Sequence, residues 1–123
     1  MIDHISTYAT NFEATRKFYE AVLIPLGYDV QADYPEYRSC AFGPEGNPVF
    51  WVIGVDDPAT PRHIAFSAPD RELVTLFYHK GLENGGESHG APGLRKEYHE
   101  HYYGAFLLDP DGNNVEAVCH MPE

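Results

Sequence analysis

A chain of 123 residues with 43% hydrophobic and 14% aromatic content is long enough for one core and too short for two, since independent domains settle at roughly 100 to 150 residues. With 19 acidic against 8 basic residues and a net charge of −11, its averaged field repels phosphate backbones and anionic bilayers, which excludes nucleic acid and membrane surfaces as partners. The longest apolar run, Val49–Ile53, is far short of the roughly 20 residues that cross a bilayer, and without a charged-then-apolar leader pattern the chain is expected to be cytoplasmic.

In chain order, Ile2–Ala9 reads as a strand and Asn11 as a helix start. Phe12, Thr15, Phe18, Tyr19, Val22 and Leu23 then recur at three- and four-residue steps, the mark of one apolar helix face. Leu26-Gly27 stops that helix, and Tyr28–Tyr34, Tyr37–Phe42 and Val49–Val55 follow as short strands rich in β-branched and aromatic residues. Arg62–Ala68 is again a strand, Asp70 again a helix start, and Leu73, Leu76, Phe77 and Leu82 give a less regular apolar face. A weak strand near residues 86–97 precedes firm ones at Tyr102–Leu108 and Asn114–His120. Cys40 and Cys119 lie far apart without a zinc-finger spacing and read as two buried thiols.

These elements are one pattern used twice. His4 in Asp-His-Ile is matched 59 positions on, from 4 to 63, by His63 in Arg-His-Ile. The same offset pairs Phe18-Tyr19 with Phe77-Tyr78, Leu23 with Leu82 and Gly27 with Gly86. Pro44-Glu-Gly-Asn-Pro-Val-Phe50 is matched by Pro110-Asp-Gly-Asn-Asn-Val-Glu116 at 66, from 44 to 110, so the second half holds additional residues between Gly86 and Pro110. Each half is βαβββ, about residues 1–58 and 59–123. A half buries too little surface to stand alone, so the two are expected to form a single α+β domain with a curved mixed sheet around a cleft.

His4, His63 and Glu116 converge where the repeat brings the two modules together. Two imidazoles and one carboxylate suit one divalent ion (Fe, Mn, Ni, Co or Zn), and three protein ligands leave open positions for substrate. Glu116 interrupts the otherwise apolar end of its strand, and a buried carboxylate is expensive unless something cationic meets it. The repeat sets Phe50 opposite Glu116, where it would offer an apolar contact to substrate in place of a further ligand.

On these residues, from Asp3-His4-Ile5 through Phe18-Tyr19-Glu20 and Arg62-His63-Ile64-Ala65-Phe66 to Asp109-Pro110-Asp111-Gly112-Asn113-Asn114-Val115-Glu116, the chain resembles the vicinal oxygen chelate superfamily, the glyoxalase / bleomycin resistance / dioxygenase proteins. The resemblance implies a metal held by His4, His63 and Glu116, and a small substrate that chelates it through neighbouring oxygens, in lyase, isomerase or dioxygenase chemistry. It also implies a homodimer, because such relatives often complete each cleft across subunits. Glyoxalase I enzymes place a fourth ligand at the position aligned with Phe50, so the three-ligand relatives match better. The alternative is a non-catalytic binding or drug-sequestering protein of the bleomycin-resistance type.

Residues 87–103, with Gly90, Pro92 and Gly93, are expected to form a functional loop over the cleft. In it Arg95 would meet an anionic substrate group and Tyr103 would contact substrate. Tyr98 and His99, with Glu116, are the candidates for proton transfer.

Overall fold

The computed structural model describes residues 1–123. Its strands are β1 (Ile5–Ala9), β2 (Asp29–Tyr34), β3 (Ser39–Gly43), β4 (Phe50–Gly54), β5 (His63–Ser67), β6 (Glu87–Leu94), β7 (Tyr103–Leu108) and β8 (Asn114–Cys119), with helices α1 (Phe12–Leu23) and α2 (Arg71–Glu83). The strands form two four-stranded mixed sheets, β1-β4-β3-β2 and β5-β8-β7-β6, one from each module. In each, the first strand of the module runs parallel to the last and the rest are antiparallel. The fold is therefore α+β, with the βαβββ module used twice.

Both helices begin where the sequence places them. The Asn11 side chain accepts from the Ala14 amide at 3.1 Å and the Asp70 side chain from the Leu73 amide at 2.8 Å, each satisfying an amide the helix leaves without a partner. α1 buries the predicted face, Phe12, Thr15, Phe18, Tyr19, Val22 and Leu23. α2 is turned from the expected one: Val74, Phe77 and Gly81 are buried while Leu76 and Leu82 are exposed. The reason lies at Gly81, where an added Cβ would stand 2.2 Å from Leu107 Cδ1 and 3.3 Å from Val22 Cγ1. The glycine lets α2 settle onto β7 and α1, and that close approach decides which face turns inward.

One core serves both modules. Phe18, Tyr19, Leu23, Phe42, Phe50 and Val52 of the first join Ile64, Phe77, Leu107, Val115 and Ala117 of the second. Buried polar groups tie the modules together as well. Tyr19 Oη donates to Asp109 Oδ2 at 2.5 Å and Asn113 Nδ2 to the same oxygen at 2.8 Å, while Asp111 accepts from the Thr10 amide and hydroxyl. The Pro-Asp-Gly-Asn turn of module two is thus an anchor for the start of α1, and its hydrogen bonds offset the cost of burying Asp109.

Strand alternation decides which residues face the helices and which face away. Phe50 and Val52 of β4, and Val115, Ala117 and Cys119 of β8, point into the core. Trp51 and Glu116 therefore look out from the opposite faces. The sheet registers agree: Ile5 pairs with Phe50 as Ile64 pairs with Val115, and Phe42 with Phe50 as Leu107 with Val115. The strands of the two modules thus superpose at 65 positions, from 50 to 115, although their turns match at 66, with Gly46 and Gly112 at φ 82° and 83°. The two turns join their strands with a one-residue difference in where that residue falls. Trp51, not Phe50, is the counterpart of Glu116, and Phe50 packs against Tyr19 and Phe66 with ring centroids 4.9 and 5.1 Å apart.

Candidate metal and substrate site

Glu116 is the centre of the candidate site. It is 1% exposed on β8, yet its side chain lies on the face away from the core and meets two partners. His63 Nε2 stands 2.6 Å from Glu116 Oε1, and Tyr102 Oη donates to Glu116 Oε2 at 2.5 Å. His63 begins β5, next to β8, where Ala65 pairs with Glu116. Tyr102 immediately precedes β7, on the face shared by Gly104 and Phe106. At Gly104 a Cβ would lie 3.1 Å from the Tyr102 ring and 3.5 Å from Glu116 Oε2, so a small residue leaves the phenol its path to the carboxylate. Burial, and then the bond to Glu116, push the Tyr102 phenol well above its ordinary value of 10.0, which keeps it a hydrogen-bond donor at neutral pH.

His4 stands apart from this pair. It lies just before β1, on the other sheet, with an exposed side chain whose Nδ1 is 2.7 Å from Asp3 Oδ1. No three His, Cys, Asp or Glu side chains of one chain come together as a metal-holding group. The convergence of His4, His63 and Glu116 expected from the repeat therefore does not occur within one chain, because the repeat places the two histidines at equivalent points of two separate sheets. The donor types still fit a divalent first-row cation at the second of these points, where an imidazole nitrogen and a carboxylate oxygen reach the same place and Tyr102 holds the carboxylate from behind. They would supply two of the three ligands expected.

Residues 87–103 are only partly a loop. Glu87–Leu94 is strand β6, paired with β7 and bulged between Ser88 and Gly90 and again between Gly90 and Gly93. The additional residues of module two go into these bulges and into the connection 95–102, which closes with Arg95 N donating to Tyr102 O and Tyr102 N to His99 O. Tyr98 lies edge-on to the Tyr102 ring at 5.0 Å. His99 stacks on His120 with centroids 4.6 Å apart and Nε2 2.6 Å from His120 Nδ1. Both residues thus lie beyond Tyr102, one side chain removed from Glu116. Arg95 faces a hollow beside the pair. Tyr103 belongs to the core side, packed against the core and under the Arg71 guanidinium at 5.1 Å, and with Phe50 it is removed from the face that carries Glu116.

Tyr102 is the residue that sequence reasoning passed over in favour of its neighbours Tyr98 and Tyr103. Alternation would have found it: with Ala105 and Leu107 in the core, positions 102, 104 and 106 share the face of Glu116.

Paired βαβββ modules, two four-stranded mixed sheets each carrying one helix, are the architecture of the glyoxalase-like class of α+β protein. The chain belongs to the Glyoxalase/Bleomycin resistance protein/Dioxygenase superfamily, whose model matches residues 1–117. That superfamily commonly binds a divalent metal and includes both enzymes and non-enzymatic members. Among solved structures the chain is similar to a glyoxalase/bleomycin resistance protein from Albidiferax ferrireducens T118, at 27% identity and TM-score 0.82, over 95% of this chain and 97% of that one. It shares its fold with a glyoxalase/dioxygenase from Nostoc punctiforme (21% identity, TM-score 0.72, covering 100% and 92%). A glyoxalase/bleomycin resistance protein/dioxygenase family enzyme from Burkholderia phytofirmans PsJN also shares it (16%, TM-score 0.71, 98% of each chain). No curated protein matches the chain.

Proposed function

We propose that this protein is a divalent-metal-dependent enzyme of lyase, isomerase or dioxygenase type, whose metal is held by His63 and Glu116 of one chain and His4 of a second copy. The observation that carries this reading is the buried Glu116 carboxylate, met by the His63 imidazole at 2.6 Å on a sheet face directed away from the core. His4 is the exposed equivalent of His63 on the other module, and a two-fold dimer that lays module one of each chain against module two of its partner would bring the two faces together. A bound divalent ion would supply a Lewis acid toward a small substrate that presents two neighbouring oxygens. Tyr102 fixes the rotamer of Glu116, and the 95–102 connection, with Tyr98 and His99, shields that side of the carboxylate from water.

A metal-free binding module of the bleomycin-resistance type is the competing reading, supported by the two-donor count within one chain. Complementation separates them. His4→Ala and His63→Ala are each expected to lose stoichiometric metal, whereas the two variants unfolded and refolded together should regain about a quarter of the wild-type metal content, the share of intact sites in a statistical mixture of dimers. Metal analysis across Mn, Fe, Ni, Co and Zn reads the result. A wild-type protein that takes up no metal refutes the enzyme reading, and loss without recovery in the mixture refutes the shared site.

A further inference from the structure

Beside the His63–Glu116 pair opens a hollow of about 250 Å³ walled by His89, Gly90, Arg95, Tyr98, Phe106 and Asn114. Two of its walls are neighbours of the pair: Phe106 pairs with Glu116 across β7 and β8, Asn114 pairs with His63 across β5 and β8, and the His63 and Phe106 rings are 6.4 Å apart. We propose that this hollow takes the oxyanion head, carboxylate or phosphate, of a small organic acid, with Arg95 as its cation. The inference rests on the functional reading above only in taking the neighbouring pair as the reacting centre; anion binding at Arg95 needs no metal.

Charge pairing singles out Arg95. In a chain with 19 acidic and 8 basic residues, Arg16, Arg38 and Arg71 each sit within 4.0 Å of a carboxylate, as an excess of acids would lead one to expect. Arg95 has no such partner. It is held instead by donation from Nη2 to the Ala91 carbonyl at 2.7 Å and by stacking over the Phe106 ring at 5.4 Å, which leaves the rest of its five donors uncommitted. Arg62, the other arginine without an acidic partner, is exposed and its side chain makes no hydrogen bond. A guanidinium fixed in place and left without a carboxylate is the arrangement that recognises an oxyanion with little ordering cost.

The surroundings agree. A Cβ at Gly90 would stand 3.3 Å from Arg95 Nη2, and one at Gly93 3.1 Å from Nη1, so both glycines keep the flanks of the guanidinium clear.

The test is an amide NMR titration of the full chain with lactate, with inorganic phosphate and with the uncharged lactamide, repeated on Arg95→Met and Arg95→Lys, with metal content measured in parallel. Saturating shifts confined to residues 89–95, 106 and 114 are expected with one or both anions and not with lactamide. Preference for lactate assigns a carboxylate, preference for phosphate a phosphate monoester. Arg95→Met should weaken binding at least tenfold and Arg95→Lys less, both with unchanged metal uptake. Equal affinity in Arg95→Met, or shifts that follow Arg62, Lys17 and Lys80 instead, overturns the subsite while leaving the metal reading intact. Anion binding at Arg95 by a protein that takes up no metal upholds the subsite and removes the enzyme.

Discussion

Glu116 shows how much one buried side chain can depend on its neighbours. Its two oxygens are each met by one protein group, His63 on one side and Tyr102 on the other, and a buried acceptor stripped of its donor loses about 1–3 kcal/mol. Tyr102→Phe removes only that hydroxyl. We expect it to lower unfolding stability by this amount and, because the carboxylate is no longer held in one rotamer, to weaken metal binding roughly 10- to 100-fold. Thermal melts and competition with a chelator measure the two effects, and a variant that retains both would show that Tyr102 is a bystander. Trp51, in the place of Glu116 on the other module, offers no metal ligand, so duplication has kept a carboxylate on one half only.

Among the elements, the helix ends and turns were legible because their chemistry is local. Asn11, Asp70, Gly46 and Gly112 announce themselves by residue type. Contacts between elements were not, and the two glycines that the repeat pairs after the helices show the difference. Gly27 has φ 95° with open space around it, and its conformational counterpart is Gly85, also at 95°. Gly86 is needed for a different reason: a Cβ there would stand 2.5 Å from the Phe18 ring and 3.0 Å from the Gly81 carbonyl. Gly27→Ala should therefore cost about 1 kcal/mol through the left-handed backbone alone. Gly86→Ala should cost more, about 1–3 kcal/mol, by forcing α1 and α2 apart. Denaturant unfolding of the two variants checks the order; equal losses would mean the inter-helix contact yields without strain.

For the molecule as a whole, the shared core makes folding sensitive to alkali. Burial pushes the Cys40 thiol from 9.0 up to about 11, and burial, with Asp109 beside it, pushes the Tyr19 phenol well above 10.0. Below pH 9 both groups hold their protons whether the chain is folded or not, so neither alters stability. Above 9.0 the unfolded chain releases the Cys40 proton while the folded one keeps it, so stability falls as pH rises toward 11, by roughly 2 to 3 kcal/mol for this thiol. Tyr19 adds to the fall above 10.0. Urea midpoints measured from about pH 8 to 11 should decline, and Cys40→Ala should flatten the first part of the decline; a flat wild-type profile would contradict it. The sequence by itself determined the duplicated βαβββ pattern, the helix starts, the tight turns and the candidate donors, because each follows from local residue chemistry or from spacing along the chain. Tertiary structure decided that the strands superpose at 65 rather than 66, that Phe50 and Tyr103 face the core, that Tyr102 and not its neighbours meets Glu116, and that His4 stands on a different sheet from His63. The physical reason is strand alternation: one residue of difference at a turn reverses the face of every side chain after it, and a repeat records equivalence between positions without fixing their distance in space.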